Sequence, residues 1–184
     1  MEAFRLAVDT WGVDVLETDA RLTSDGEVVL MHDAEVGRTC DGDGNVAEMS
    51  WDRLRTLDAG YHFRDLDGET SFRGRGVSIP RFEEVLEAFP HTRLNVDTKC
   101  GRVAQPLLEI IRRHRAHDRA LIAAEVETHR SAVRGYTGPW GASRRDIGRF
   151  WSAAHLRLTP WFRPDFDALQ VPEFWHGIRV VSPR

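Results

Sequence analysis

Hydrophobic and polar residues alternate along three stretches of this chain, and each stretch ends in reactive side chains. In residues 13–19, Val13, Val15, Glu17 and Asp19 share one face of a strand, and Asp14, Leu16 and Thr18 share the other, because side chains two apart point the same way. Residues 28–33 read as a second strand, with Val28, Leu30 and His32 on one face. Residues 93–99 read as a third, which brings Asn95, Asp97 and Lys99 together. The Asp-Gly pair within Thr23-Ser24-Asp25-Gly26-Glu27 marks a turn between the first two.

Helical spacing fills the intervals. Phe4, Ala7, Val8 and Trp11 recur at i, i+3, i+4 and i+7 and predict a helix over residues 2–11, ended by Gly12. Ser50 is the N-cap of a short helix, and residues 79–89 form an amphipathic one with Pro80 near its start and Pro90 just past its end. Residues 38–50 and 60–78 are turn-rich; Asp41, Asp43 and Asn45 match the opening of a calcium loop, but its late glutamate is missing. Past residue 99 the pattern gives a helix (103–116), a strand (120–124), a helix (126–134), a short strand near 140–143, a helix (144–156), and extended segments at 167–172 and 178–182. Strands apolar on both faces, alternating with helices and functional at their C-terminal ends, predict a parallel α/β barrel or open sheet in one domain.

Composition narrows the function without naming it. The 184 residues carry a net charge of −4, so no bulk attraction to nucleic acid or anionic membrane is expected. No apolar run approaches membrane-spanning length and no signal segment opens the chain, so the expected location is the cytoplasm. Cys40 and Cys100 fit neither a zinc pattern nor a disulfide framework and read as free thiols. The arginines at 112, 113, 115, 144, 145 and 149 fall on helices and read as solvated faces. Of the 25 cationic residues, Lys99 is the one lysine, which draws attention to it as a compact, mobile charge.

The strand ends then supply Glu17 and Asp19, His32, and Asp97 with Lys99. If the strands are neighbours, these side chains meet at one mouth. Adjacent carboxylates repel unless a cation joins them, and oxygen ligands suit a hard divalent ion. An imidazole moves protons near neutral pH, and an ammonium holds an anion. That combination suits phosphodiester hydrolysis. Local ion pairs between Lys99 and Asp97 or Glu17 are the plainer alternative.

Several motifs resemble the glycerophosphodiester phosphodiesterase family. They are Leu16-Glu17-Thr18-Asp19, Leu22-Thr23-Ser24-Asp25-Gly26 with Met31-His32-Asp33, Leu57-Asp58-Ala59-Gly60, Ile79-Pro80 with Glu83-Glu84-Val85-Leu86, and Leu94-Asn95-Val96-Asp97-Thr98-Lys99. Their order and spacing match across residues 2–99, and Asp167–Pro172 matches more loosely. The resemblance implies a (β/α)8 TIM barrel with its site at the C-terminal mouth. It implies Ca²⁺ or Mg²⁺ held by Glu17, Asp19 and Asp97, with His32 as one of two acid/base histidines and Lys99 on phosphate. The implied substrate is a small glycerophosphodiester, cleaved to sn-glycerol 3-phosphate and an alcohol, with no nucleic acid partner and no transmembrane segment.

The chain departs from the family at both ends. The family opens with a strand bearing His-Arg-Gly, and Met1 falls inside the helix that follows it. The family also continues past Val180-Val181-Ser182-Pro183 to a helix and two strands, and a strand end that is usually Ser-Phe reads Ala124-Glu125 here. The expectation is therefore one domain over residues 1–184, an incomplete barrel truncated at both ends. Two further readings remain: a catalytically inactive remnant or metal-binding module lacking the first histidine, and a phosphodiesterase of the lysophospholipase D or sphingomyelinase D kind.

Overall fold

A computed structural model of the protein describes residues 1–124, 126–133 and 135–180. Glu125 and residues 181–183, singled out in the sequence, lie outside the described residues. The chain opens with a single α-turn, α1 (Glu2–Arg5), that widens into a π-helix over Leu6–Thr10 and ends at Gly12, whose φ of +64° suits glycine. Phe4, Ala7 and Val8 pack on the core as the spacing predicts, but Trp11 is 70% exposed. The wider turn, closed by Trp11 N–H on Leu6 O at 3.2 Å, carries Trp11 off the apolar face that a regular α-helix would give it.

The main sheet has four strands in the order β2-β1-β3-β4: β1 (Val15–Leu22), β2 (Val28–Leu30), β3 (Arg93–Thr98) and β4 (Ala120–Ala123). β1, β3 and β4 are parallel, and the progression continues: Trp140 bridges Ile122 and Ala168 bridges Gly141, both in parallel sense. Each new segment is laid beside the one before it. That is the winding of a barrel wall, since an open doubly wound sheet reverses direction at a switch point. The described residues thus form an incomplete (β/α)8 TIM barrel. Gly141 lets the wall close up here, because a Cβ on it would stand 3.0 Å from the Ala123 Cβ.

β2 departs from the expected parallel design. It is antiparallel to β1, with Ala20 opposite Leu30 and Leu22 opposite Val28, so β1 and β2 are a hairpin around Thr23–Glu27. The turn is too short for the crossover that a parallel pair needs. β2 also stops at Leu30, so His32 lies on the loop after it rather than at a strand end.

The helices cover one side of the sheet. α3 (Phe82–Ala88), α4 (Ala104–Arg113) and α5 (Glu127–Ala132) accompany the wall, with α2 (Trp51–Leu54) in the long β2–β3 connection and α6 (Arg144–His155) beyond. The expected start of α3 moves: Ile79 and Pro80 are extended, Pro80 O accepts Leu30 N–H at 2.9 Å, and the helix opens after Arg81, whose N–H is held by Glu84 Oε2 at 3.0 Å. Ser50 caps α2 as expected, accepting Arg53 N–H at 3.4 Å. Even-numbered Leu16, Ala20, Leu94, Val96 and Ile122 face the helices and pack on Phe82, Leu86, Leu107 and Ile111. A second apolar cluster, Val29, Met31, Val36, Cys40, Val46, Leu54, Leu57 and Ile79, fills the space under the long connection. Cys40 and Cys100 are free thiols, as expected. A hairpin of β5 (Phe174–Trp175) and β6 (Ile178–Arg179) stands apart, where a single extended segment was expected.

Candidate active site

The alternation that sends Leu16, Thr18 and Ala20 into the core turns Glu17 and Asp19 to the other face of the sheet. The parallel register then sets Glu17 beside Asn95 and Asp19 beside Asp97. Lys99, just past β3, closes the group: its Nζ lies 2.9 Å from Asp19 Oδ1 and 2.6 Å from Asp97 Oδ2. All three side chains are partly shielded, at 14–22% exposure, so the pairing is stronger than a surface ion pair. Burial alone would lower the Lys99 pKa, but the hydrogen bonds and charges of Asp97 and Asp19 outweigh it and hold the amine above the ordinary lysine range.

Lys99 does not satisfy every acceptor. Asp97 Oδ1 and Asn95 Oδ1 are buried with no hydrogen-bond partner among the described residues. An unmatched buried acceptor costs about 1–3 kcal/mol, so two together indicate a missing partner. Glu17 points the same way. Its pKa is raised, first by burial and then by the charge of Asp19, with Lys99 opposing, Asp97 adding to the rise and His32 relieving it. Three carboxylates against one ammonium leave a formal surplus of two negative charges.

His32 reaches the site by a different route. The hairpin turns the chain back so that Met31 N–H donates to Asp19 O at 2.9 Å, and His32 follows on the loop. Arg21, the next residue on the Glu17–Asp19 face, clamps the His32 carbonyl with Nε at 3.1 Å and Nη2 at 2.6 Å. The imidazole is 68% exposed, with Nδ1 2.8 Å from Asp33 Oδ1. A carboxylate only accepts, so Nδ1 carries the proton and the neutral ring presents Nε2 as a base. Hydrogen bonds from Arg38, and then from His32, hold the Asp33 carboxyl down at about 2. Arg21 and Arg38 were not marked from sequence, and Asp33 was marked only within the Met31-His32-Asp33 motif; counting two beyond Asp19 along β1 would have found Arg21.

The donors suit a hard divalent cation: carboxylate oxygens, an unpaired buried acceptor and surplus negative charge. Their spacing is wider than a closed cage. Among the described residues, three ligating atoms within 4.8 Å of one another occur at Glu83, Glu87 and His114, on the outer helix layer. Two of the three are ion-paired, since Arg113 Nη2 at 2.6 Å and His114 Nε2 at 2.7 Å both meet Glu83 Oε1. In the Glu17, Asp19 and Asp97 group, the Lys99 ammonium stands between Asp19 and Asp97. The calcium-loop fragment is used up in turns: Asp41 Oδ1 accepts Asp58 N–H at 2.8 Å, and Asn45 Oδ1 accepts Ala47 N–H at 2.9 Å. A cavity of about 350 Å³ lies between Met1, Arg5 and Val77, and none of the five predicted site residues lines it.

Comparison with known proteins adds to this geometry. The profile of the Glycerophosphoryl diester phosphodiesterase family matches residues 1–156. A probable glycerophosphodiester phosphodiesterase 2 of Mycobacterium tuberculosis is 30% identical over 189 residues, a match that takes in 100% of this chain and 66% of that one. Among solved structures, the glycerophosphoryl diester phosphodiesterase domain of another M. tuberculosis protein superposes with a TM-score of 0.77 at 23% identity, over 85% of this chain and 59% of that one. An Oleispira antarctica phosphodiesterase, solved with the product sn-glycerol 3-phosphate, gives a TM-score of 0.68 at 22% identity, over 85% and 65%. The chain therefore spans about three fifths to two thirds of the length of these relatives.

Proposed function

The chain belongs to the glycerophosphoryl diester phosphodiesterase family, and from that premise we propose that it serves the hydrolysis of glycerophosphodiesters to sn-glycerol 3-phosphate and an alcohol. The carrying observation is Lys99 Nζ within 2.9 Å of both Asp19 and Asp97, beside an unpaired Asp97 Oδ1 and a Glu17 of raised pKa. The product held by the O. antarctica phosphodiesterase supports the substrate class.

Glu17, Asp19 and Asp97 would hold a divalent cation, Ca²⁺ or Mg²⁺, which when bound supplies positive charge to a phosphoryl oxygen. The remaining work falls to this chain's own side chains. With the carboxylates otherwise engaged, the Lys99 ammonium is free to turn to a phosphate oxygen, where negative charge grows in the transition state. His32 Nε2 takes the proton from the attacking hydroxyl or returns one to the departing alkoxide, with Asp33 fixing the tautomer through Nδ1. Arg21 holds the loop that carries the ring. One domain over residues 1–184 is the unit we assign this role.

The test is release of glycerol 3-phosphate from glycerophosphocholine by the complete protein, with and without a chelator. Asp19→Ala is expected to lower kcat by ~10²–10³-fold, in line with the loss of one preorganised charge-stabilising group. Turnover indifferent to both the chelator and the substitution sinks the proposal.

A further inference from the structure

We propose that Asn95 is a fourth oxygen donor to the divalent cation, through its Oδ1, alongside Glu17, Asp19 and Asp97. This inference rests on the metal reading above and extends it to a residue that carries no charge. Asn95 is on β3 directly beside Glu17 and two residues before Asp97, so its side chain shares their face. Among the described residues its Oδ1 is one of two buried side-chain acceptors without a hydrogen-bond partner, and the other belongs to Asp97.

The two orphans share one cause. Native structures rarely leave a buried acceptor unmatched, and the surrounding groups here are acceptors too. Glu17, Asp19 and Asp97 bring only carboxylate oxygens, and the one ammonium is spent on Asp19 Oδ1 and Asp97 Oδ2. No donor among the described residues meets Asn95 Oδ1, whereas hard cations take amide carbonyl oxygens together with carboxylates. A neutral donor also suits the electrostatics. An amide oxygen adds no further charge repulsion to three carboxylates gathered on one face of the sheet.

Asn95 has a second conceivable role, donating its amide N–H to the Glu17 carboxylate and so orienting it. The two roles separate on Asn95→Asp, which keeps an oxygen and loses the N–H. The test is isothermal titration of the full chain with CaCl₂ and with MgCl₂ alone, free of substrate. Circular dichroism in EDTA verifies that each variant is folded. The expected result is a Kd raised ~10-fold or more in Asn95→Ala, and equal to or tighter than wild type in Asn95→Asp. The inference is overturned if Asn95→Ala binds as wild type does, or if Asn95→Asp is the weaker of the two. A wild-type chain that binds neither ion overturns the inference and the metal reading together. A wild type that binds, with an Asn95→Ala variant that matches it, overturns the inference alone. Should Asn95→Ala unfold, Asn95→Asp is compared with wild type: equal or tighter binding supports the inference, and weaker binding overturns it.

Discussion

At the scale of single residues, Lys99 is the informative one. Its ammonium stands between Asp19 and Asp97, where it neutralises part of an acidic group. A lysine does this and an arginine does not, because the point charge on a flexible stem has no fixed fork to satisfy. Lys99→Met therefore leaves two shielded carboxylates facing one another. Without metal it is expected to destabilise the fold by about 2 kcal/mol, below the range for fully buried pairs because the side chains are partly solvated. Added Ca²⁺ is expected to restore more stability to Lys99→Met than to wild type, measured as the shift in urea midpoint. Equal shifts in the two proteins would mean that Lys99 and the cation do not compete for the same carboxylates.

At the scale of elements, legibility followed from how local the determining interaction was. Alternation in residues 13–19 and 93–99 marks Glu17, Asp19, Asp97 and Lys99 as sharing one face, and the register Asp19 to Asp97 brings them together. The direction of β2 could be read from the short Asp-Gly turn at Thr23–Glu27, too brief for a parallel crossover, although the apolar run Val28-Val29-Leu30 alone serves equally well in either sense. Contacts distant along the chain were not legible. Trp11 and Pro80 failed for the same reason: a π-turn and the bond from Leu30 N–H to Pro80 O override local spacing. Another non-local tie is Tyr136, whose hydroxyl donates to Ala120 O, with His117 O a second acceptor at 3.2 Å, and pins the start of β4. Burial, and then the charge of Asp118, push this phenol up to about 12 from its ordinary 10.0. The unfolded chain loses the proton near pH 10, while the folded chain keeps it. The stabilisation is therefore complete below about pH 10 and is lost as pH climbs towards 12, a span of about 2 kcal/mol or more. Tyr136→Phe is expected to be less stable at pH 7 by about 1–3 kcal/mol. Its urea midpoint should also fall less steeply between pH 9 and 11 than that of wild type. Parallel slopes would remove the phenol from the account.

At the scale of the whole molecule, two apolar clusters divide the labour. The larger one holds β1 and β3, which carry the acidic residues, while the smaller one holds Val29 and Met31, the residues that lead to His32. On the proposed roles, metal binding and proton transfer rest on different clusters, joined by β2, which gives Val28 and Leu30 to the larger and Val29 to the smaller. Leu54, fully buried in the smaller cluster, offers the test. Leu54→Ala is expected to cost about 2–5 kcal/mol overall. In the proposed reaction it should lower kcat while leaving the calorimetric Kd for Ca²⁺ within about twofold, because Leu54 belongs to the smaller cluster and Leu16, Leu94 and Val96 of the acidic strands to the larger. A parallel loss of metal affinity would show the two regions to be one cooperative unit.

The pairing of β1 with β3 has a consequence for folding fidelity. Glu17 and Asp19 take their places by the same alternation that buries Leu16, Thr18 and Ala20. A slip of one residue would drive both carboxylates into the layer packed by Leu107 and Ile111, where unpaired charge is prohibitively unfavourable. Misaligned forms are thereby rejected by the very groups that crowd and repel one another in the correct one. Those acids act as proofreaders of the alignment, and neutral replacements at positions 17 and 19 would relax that check even where they relieve local repulsion.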